Sequence, residues 1–252
     1  MHIPVFTAII PARYASTRFP GKPLADLKGK TMIQRVYEQV EPVMDYVVVA
    51  TDDERIFAEV ERFGGKAVMT SAAHRSGTDR CAEALDIIEN ENKVKPDVVI
   101  NIQGDEPFIR HDQIEALKLC FSDDSTQIAT LITPIREHEV LTNPNRAKVI
   151  IDVNGVALYF SRSVIPYIRN KSESEWHNNH KYYQHIGIYA YRTEILKKIV
   201  LLPAGDLEKA ESLEQLRWLE NGYKIKTAVT EFETYGIDTP EDLKRILEMG
   251  IL

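Results

Sequence analysis

The sequence predicts an α/β protein: a mostly parallel sheet flanked by helices, interrupted by an antiparallel insertion. Three observations predict it. In the first half, short runs rich in β-branched residues alternate with apolar stripes at helical spacing, the rhythm of strand–helix–strand crossovers. The run Tyr46-Val47-Val48-Val49-Ala50 is nearly all apolar, as expected of a strand covered by helices on both faces. From about Gln127 the helices drop out and strand-like runs follow one another, with a hairpin signal at Asn154-Gly155.

Taken in order, Thr7-Ala8-Ile9-Ile10 reads as a buried first strand, and Ile33, Val36, Tyr37 and Val40 mark the first helix. After the strand at Tyr46–Ala50, the stripe Ile56, Phe57, Val60 and Phe63 forms a helix closed by Gly64-Gly65. Ala67-Val68-Met69 is a short third strand, followed by a helix from about Asp79 to Asn90. Asp97 to Ile102 is the fourth strand, and Ile114, Leu117 and Phe121 mark the helix after it. Beyond about 127, the runs 128–132, 148–151 and 156–160 read as strands without helices between them. The polar stretch from Asn170 to Lys181 reads as a mobile loop. A strand at 186–191, helices near 193–201 and 211–221, a strand at 225–229 and a final helix complete the chain. With no linker and no repeat, one domain of residues 1–252 is expected, its insertion at about 127–192 also serving subunit contact.

At 252 residues, 44% hydrophobic and 27% charged, the chain has the composition of a soluble globular protein with a substantial core. No apolar run approaches the roughly 20 residues of a membrane-spanning helix, so no membrane partner is expected. The N-terminus lacks a basic region followed by a small-residue cleavage site, and the expected location is the cytoplasm. Cys81 and Cys120 are too few and too far apart for a disulfide framework or a zinc site, and read as buried free thiols. A net charge of −7 counts against nucleic acid as a partner. Against that balance, Arg13, Arg18, Lys22, Lys28 and Lys30 face only Asp26 within one short segment, which points to a small anion such as a phosphate chain.

Ligands of open parallel sheets bind where strands end, so the loops after the strands matter most. The loop Pro11-Ala12-Arg13-Tyr14-Ala15-Ser16-Thr17-Arg18-Phe19-Pro20-Gly21-Lys22 offers backbone N–H groups and guanidinium forks to a polyphosphate; an ordinary solvated basic loop is the alternative. Asn101-Ile102-Gln103-Gly104-Asp105-Glu106-Pro107 puts a carboxylate at a strand end, suited to Mg²⁺ shared with substrate phosphates or to a simple turn. In Gly236-Ile237-Asp238-Thr239-Pro240-Glu241-Asp242, capping accounts for Thr239, Pro240 and Asp242 but leaves Asp238 as a candidate second metal ligand. Thr70 to Arg80 is a polar stretch able to read a base edge or a ribose, or merely to cap a helix. His185 precedes an apolar run, where a structural histidine is the default. Gly29-Lys30-Thr31 lacks the upstream glycine of a P-loop, its place being taken by Leu24, and no strand is followed by G-x-G-x-x-G.

The ordered motifs IIPARYASTRFPGKPL, HRSGTDR, VINIQGDEPFI, ALYFSRSVIPY, HIGIYAYR, LEQLRWLENGYKI and GIDTPEDL resemble the 3-deoxy-manno-octulosonate cytidylyltransferases, the CMP-Kdo synthetases, from about Ile9 to Glu248. The resemblance implies a Rossmann-like fold of the nucleotide-diphospho-sugar transferase type. It implies a homodimer that takes CTP and Kdo, uses Mg²⁺, and releases pyrophosphate and CMP-Kdo for lipopolysaccharide assembly. It assigns Pro11, Ala12, Arg13, Arg18, Lys22, Arg75, Ser76, Gly77 and Gln103 to nucleotide binding, with Arg13 and Lys22 catalytic. Asp105 and Asp238 fall on the family's magnesium carboxylates. Gln103, Arg162, His185, Tyr189, Glu214 and Gln215 match the sugar-facing side. Where several family members have Leu, Gln and Glu, this chain has Phe19, Arg75 and Asp79, so the contact made by Arg75 is its own. Three alternatives stand beside this reading: a cytidylyltransferase for another acidic sugar such as a sialic acid, a non-catalytic nucleotide-binding module, and a glycosyltransferase, whose usual Asp-x-Asp is missing at Thr51-Asp52-Asp53 and at Gly104-Asp105-Glu106.

Overall fold

A computed structural model describes residues 3–15, 19–91, 94–232, 236–237 and 239–249. The chain divides into two compact units, Met1–Glu115 with Thr234–Leu252, and Ala116–Glu233.

In the first unit β1 (Phe6–Ala12) leads to α1 (Met32–Val40), β2 (Tyr46–Thr51), α2 (Glu54–Arg62), β3 (Ala67–Met69), α3 (Gly77–Asn90) and β4 (Val98–Asn101), and α4 (His111–Cys120) crosses into the second unit. The strands lie in the order β3-β2-β1-β4, all parallel, with Ala8 registered on Val47 and on Ile100. Ala8, Ile9 and Ile10 have no exposed surface, nor do Val48, Val49 and Ala50, and α1, α2 and α3 pack against the sheet. The predicted helical stripes are the buried ones: Ile33, Val36, Tyr37 and Val40 in α1, Ile56 and Val60 in α2. Caps fix the helix starts. Thr31 accepts from the Gln34 N–H, Asp53 from Arg55, and Ser76 from Asp79, so α3 begins at Gly77, two residues before the predicted start.

In the second unit β5 (Ile128–Pro134), α5 (His138–Thr142), β6 (Lys148–Ile151), β7 (Ala157–Ser161), α6 (Trp176–Asn179), β8 (Tyr183–Arg192), α7 (Thr193–Ile199), α8 (Asp206–Glu211), α9 (Gln215–Glu220) and β9 (Ile225–Val229) follow in order. β5 runs antiparallel to β8 and parallel to β9, while β6 pairs antiparallel with β7 and β8. The β6–β7 turn is the predicted hairpin: Gly155 has φ 71°, and Asp152 Oδ1 accepts the N–H groups of Asn154 and Val156.

Three predicted details differ. A short helix, α5, stands between β5 and β6 where none was expected. The stretch read as a mobile loop holds a 3₁₀ turn (Glu173–Glu175) and α6, because Trp176 is buried with Ile135, Leu141 and Tyr182 and so anchors otherwise polar chain. The helix expected over 211–221 starts only at Gln215, as α9; α8, which was not expected, ends at Glu211, and Ser212, with φ 51° and ψ 48°, breaks the chain between them. Cys81 is buried as predicted, whereas Cys120 is half-buried; both are free.

The chain re-enters the first unit to form α10 (Pro240–Met249). Its start is the predicted capping box: Thr239 Oγ1 accepts from Asp242 N, and Asp242 Oδ2 from Thr239 N. Ile246 and Ile237 join Leu27 and Met32 in a small core that holds this returning segment. No helix among the described residues is long and apolar enough to cross a membrane.

Candidate active site

β1 and β4 end side by side, with Ile9 registered on Asn101, so the chain leaving each strand opens onto a common cleft of about 230 Å³. Three stretches line it: Pro11 and Ala12 at the end of β1 with Arg13 and Lys22 after it; His74, Arg75 and Ser76 after β3 with Gly77 and Arg80 in the first turn of α3; and Gln103, Gly104 and Asp105 after β4. Close approach of the first and third stretches depends on Gly104. A Cβ there would stand 2.9 Å from the Pro11 carbonyl oxygen.

The loop after β1 is fastened at both ends. Gly21, with φ 72°, donates its N–H to Tyr14 O at 2.9 Å. The Arg55 guanidinium lies 3.3 Å over the centre of the Tyr14 ring and is itself held by Asp53. Lys22 is thereby directed at Asp105, its Nζ 2.5 Å from Oδ2. The Lys22 side chain is 13% exposed and that of Asp105 32%, so the pair stands inside the cleft yet open to ligand. Asp105 also offers its main-chain oxygen to Ile237 N at 3.2 Å, which joins the returning segment to the strand end. Asp238 and Arg18 lie outside the described residues. Gln103 donates to Asn101 Oδ1 at 3.2 Å, which turns its amide along the end of β4.

Three residues of this region carry no assignment from the sequence. Arg80 is 4% exposed, bonds Thr70 Oγ1 at 2.6 Å and lies 3.4 Å from Asp52 Oδ2. His74 meets Glu83 Oε2, which also accepts the Ser71 N–H at 2.8 Å. Burial works to raise the Glu83 carboxyl, but the Ser71 and His74 bonds outweigh it and leave it below the ordinary carboxylate range. The signal was helical spacing: Ser76, Arg80 and Glu83 stand at i, i+4 and i+7 on one face of α3.

Apart from Gln103, the sugar-side residues implied by the resemblance lie in the second unit. The His185 ring is enclosed between Phe160 and Tyr189, at 5.1 and 5.2 Å between centroids, with Nε2 3.1 Å from Thr130 Oγ1. Burial drives its pKa from 6.5 down to about 3, so the imidazole is neutral near pH 7. Tyr189 packs against Trp218 at 5.0 Å, and burial raises its hydroxyl pKa well above 10.0. Gln215 is 4% exposed, and Glu214 lies 3.7 Å from Arg217. Arg162 spends Nε on Glu211 O at 2.6 Å and its terminal nitrogens on Pro144 O and Ser212 O. The break at Ser212 presents two of those carbonyls, Glu211 O and Ser212 O. Of five guanidinium N–H groups, two are left for another acceptor. Lys148, which the sequence reading passed over, is fully buried and bonds the carbonyls of Asn143 and Arg146; burial, then the nearby Arg162, lowers its pKa to about 8.

Among the described residues no group of three or more His, Cys, Asp or Glu is placed to hold a metal ion. Among the described residues the cleft presents one carboxylate, that of Asp105, already facing a cation, together with Arg13, Lys22 and the first residues of α3. That donor set suits a hard cation sharing its coordination with phosphate oxygens.

The family model for cytidylyltransferases matches residues 7–225. The 3-deoxy-manno-octulosonate cytidylyltransferase of Parabacteroides distasonis is 61% identical over 246 residues, spanning 96% of each chain. That of Bacteroides thetaiotaomicron is 61% identical, spanning 96% of this chain and 97% of its own. A solved structure of CMP:2-keto-3-deoxy-manno-octonic acid synthetase complexed with CTP superposes with a TM-score of 0.89 at 43% identity, covering 98% of this chain and 100% of its own. A 4-diphosphocytidyl-2C-methyl-D-erythritol synthase from Anaerococcus prevotii shares the fold, with a TM-score of 0.60 at 14% identity over 98% of this chain and 100% of its own.

Proposed function

Because the chain belongs to the cytidylyltransferase family and, within it, to the 3-deoxy-manno-octulosonate cytidylyltransferases, we propose that it joins Kdo to the α-phosphate of CTP. The products are pyrophosphate and CMP-Kdo, the activated sugar used in lipopolysaccharide assembly. The observation that carries this reading is the Lys22–Asp105 pair in a cleft walled by Arg13, Ser76 and Gln103.

In this reaction the anomeric hydroxyl of the sugar attacks the α-phosphorus in line with the leaving pyrophosphate. Positioning and charge neutralisation carry most of the work. Arg13 and Lys22 hold the β- and γ-phosphates and take up charge on the leaving group, with Arg18 assigned beside them by its motif. Lys22 exchanges its carboxylate partner for phosphate when the nucleotide enters. Pro11, Ala12, Arg75, Ser76, Gly77 and Gln103 seat the nucleoside. Asp105 and Asp238 are the residues that would hold Mg²⁺, which when bound neutralises charge at the α-phosphate and acidifies the attacking hydroxyl. His185, being neutral, offers the sugar a hydrogen bond without a charge, alongside Tyr189, Glu214 and Gln215. Arg162 has two N–H groups for the sugar carboxylate. The reading further takes the enzyme to be a cytoplasmic homodimer, with the antiparallel region at about 127–192 as the subunit contact.

Pyrophosphate release tests it. With Mg²⁺ and Kdo, CTP should support turnover while ATP, GTP and UTP support little, and a sialic acid should not replace Kdo. Equal turnover with a sialic acid overturns the choice of sugar; CTP binding without pyrophosphate release overturns the enzyme reading.

A further inference from the structure

The loop after β3 is pinned at two points. Thr70 N donates to Thr51 O at 2.8 Å, and Ser76 caps α3. Between them Ser71, Ala72, Ala73 and Arg75 are exposed. One carboxylate oxygen ties this stretch to α3. Glu83 Oε2 accepts the Ser71 N–H and meets His74 Nε2, so both ends of the exposed stretch converge on a single residue of α3. Ser71 Oγ in turn accepts from Ala73 N at 3.1 Å. His74 and Arg75 line the cleft; Glu83 does not.

We propose that Glu83 is a positioning residue for the nucleotide cleft, acting through His74 and Ser71 to set how strictly the base is read. This rests on the reading of the cleft as a CTP site. The physical reason is rigidity. Cytosine presents an amino donor and a ring-nitrogen acceptor where uracil presents a carbonyl acceptor and a ring N–H donor. A wall of fixed polar groups leaves one of the two bases with an unpaired group, whereas a wall free to turn can present a donor or an acceptor as needed. A Glu83 that served only the local fold of the loop would leave base choice untouched.

The experiment compares Glu83→Ala, Glu83→Gln and, as an ordinary surface pair, Glu38→Ala, which removes the partner of Lys30. KM and kcat are measured for CTP and for UTP at saturating Kdo, with the thermal midpoint as a check of folding. For Glu83→Ala the KM for CTP should rise roughly tenfold, kcat at saturating CTP should stay within about twofold, and the CTP:UTP ratio of kcat/KM should fall roughly tenfold. Glu83→Gln keeps an acceptor for Ser71 N and should fall between the two, while Glu38→Ala matches wild type. A CTP:UTP ratio in Glu83→Ala equal to that of wild type overturns the proposal. Should that variant fail to fold, the same ratio in Glu83→Gln decides, and a wild-type value overturns it. A wild-type protein with no preference for CTP defeats the reading of the cleft itself and the proposal with it, a result seen before any variant is made.

Discussion

The cleft of the first unit is made of loops and charges, whereas His185, Tyr189 and Lys148 of the second unit lie on strands, walled by rings or by main-chain carbonyls. Lys22 and Asp105 face each other with solvent access, and Arg13 and Arg75 are exposed. His185 and Tyr189 are packed against Phe160 and Trp218, and Lys148 is wholly buried against main-chain carbonyls. The first arrangement suits exchange of one ionic partner for another. The second holds hydrogen-bonding groups in fixed orientation, with burial favouring the neutral forms of His185 and Tyr189.

The sharpest way to break this contrast is to remove charge from the cleft. Asp105→Asn should lower kcat about 10²–10³-fold, the cost of losing one electrostatic contact to the transition state, with the thermal midpoint nearly unchanged. Turnover near wild type in a folded Asp105→Asn protein would reduce Asp105 to a strand-end turn residue. Lys22→Ala should raise the KM for CTP and weaken pyrophosphate inhibition together.

Next in size is a pair of glycine substitutions, one in each unit. A methyl at Gly104 meets the Pro11 carbonyl at 2.9 Å, and neither partner is a flexible side-chain end. Gly104→Ala should cost about 1–3 kcal/mol of stability and weaken CTP binding. Gly187 in β8 has nothing within 4 Å of a built Cβ, and Gly187→Ala should stay within about 0.5 kcal/mol. Denaturant midpoints and CTP titrations of the two variants decide it. Equal behaviour would mean that close packing of the β1 and β4 loops is not what shapes the cleft.

The contrast also explains what was legible in the sequence. Loops after strands carry motifs in consecutive residues, so Arg13, Lys22, Gln103 and Asp105 could be read as a set before any fold was known. Their convergence could not, since it depends on Ile9 registering with Asn101 and on the missing side chain at 104. Arg80 and Glu83 were hidden because helical capping explains their neighbours completely. In the second unit the environment of His185 comes from Phe160 on β7, Thr130 on β5 and Tyr189 on its own strand, and no local pattern links those positions. The break at Ser212 escaped for a different reason: a left-handed serine leaves no signature in composition.

The depressed pKa of His185 gives the second unit a pH signature. Its folded value is about 3 against 6.5 for the free side chain. Below about 6.5 the unfolded chain therefore binds a proton that the folded chain refuses, and stability is lost as pH falls from there toward about 3. Between about pH 7 and about pH 5 this one group should cost about 2 kcal/mol. Denaturant unfolding at both pH values should show that loss in wild type and not in His185→Gln. An equal loss in both proteins would place the proton elsewhere.

The smallest effect separates helix capping from chemistry at adjacent positions. Thr239 accounts for the start of α10 through its reciprocal bonds with Asp242, and α10 in turn buries Ile246 against Leu27 and Met32. Thr239→Ala should therefore cost about 1 kcal/mol, which for a chain of this size lowers the melting midpoint by about 2–4 °C. Turnover measured well below that midpoint should be little changed, because the cap touches no substrate. Asp238→Asn should do the reverse, lowering turnover about as far as Asp105→Asn while leaving the midpoint in place. If Thr239→Ala instead lost activity in step with Asp238→Asn, the cap and the carboxylate would be one structural device, and the second metal ligand would have to be sought outside this segment.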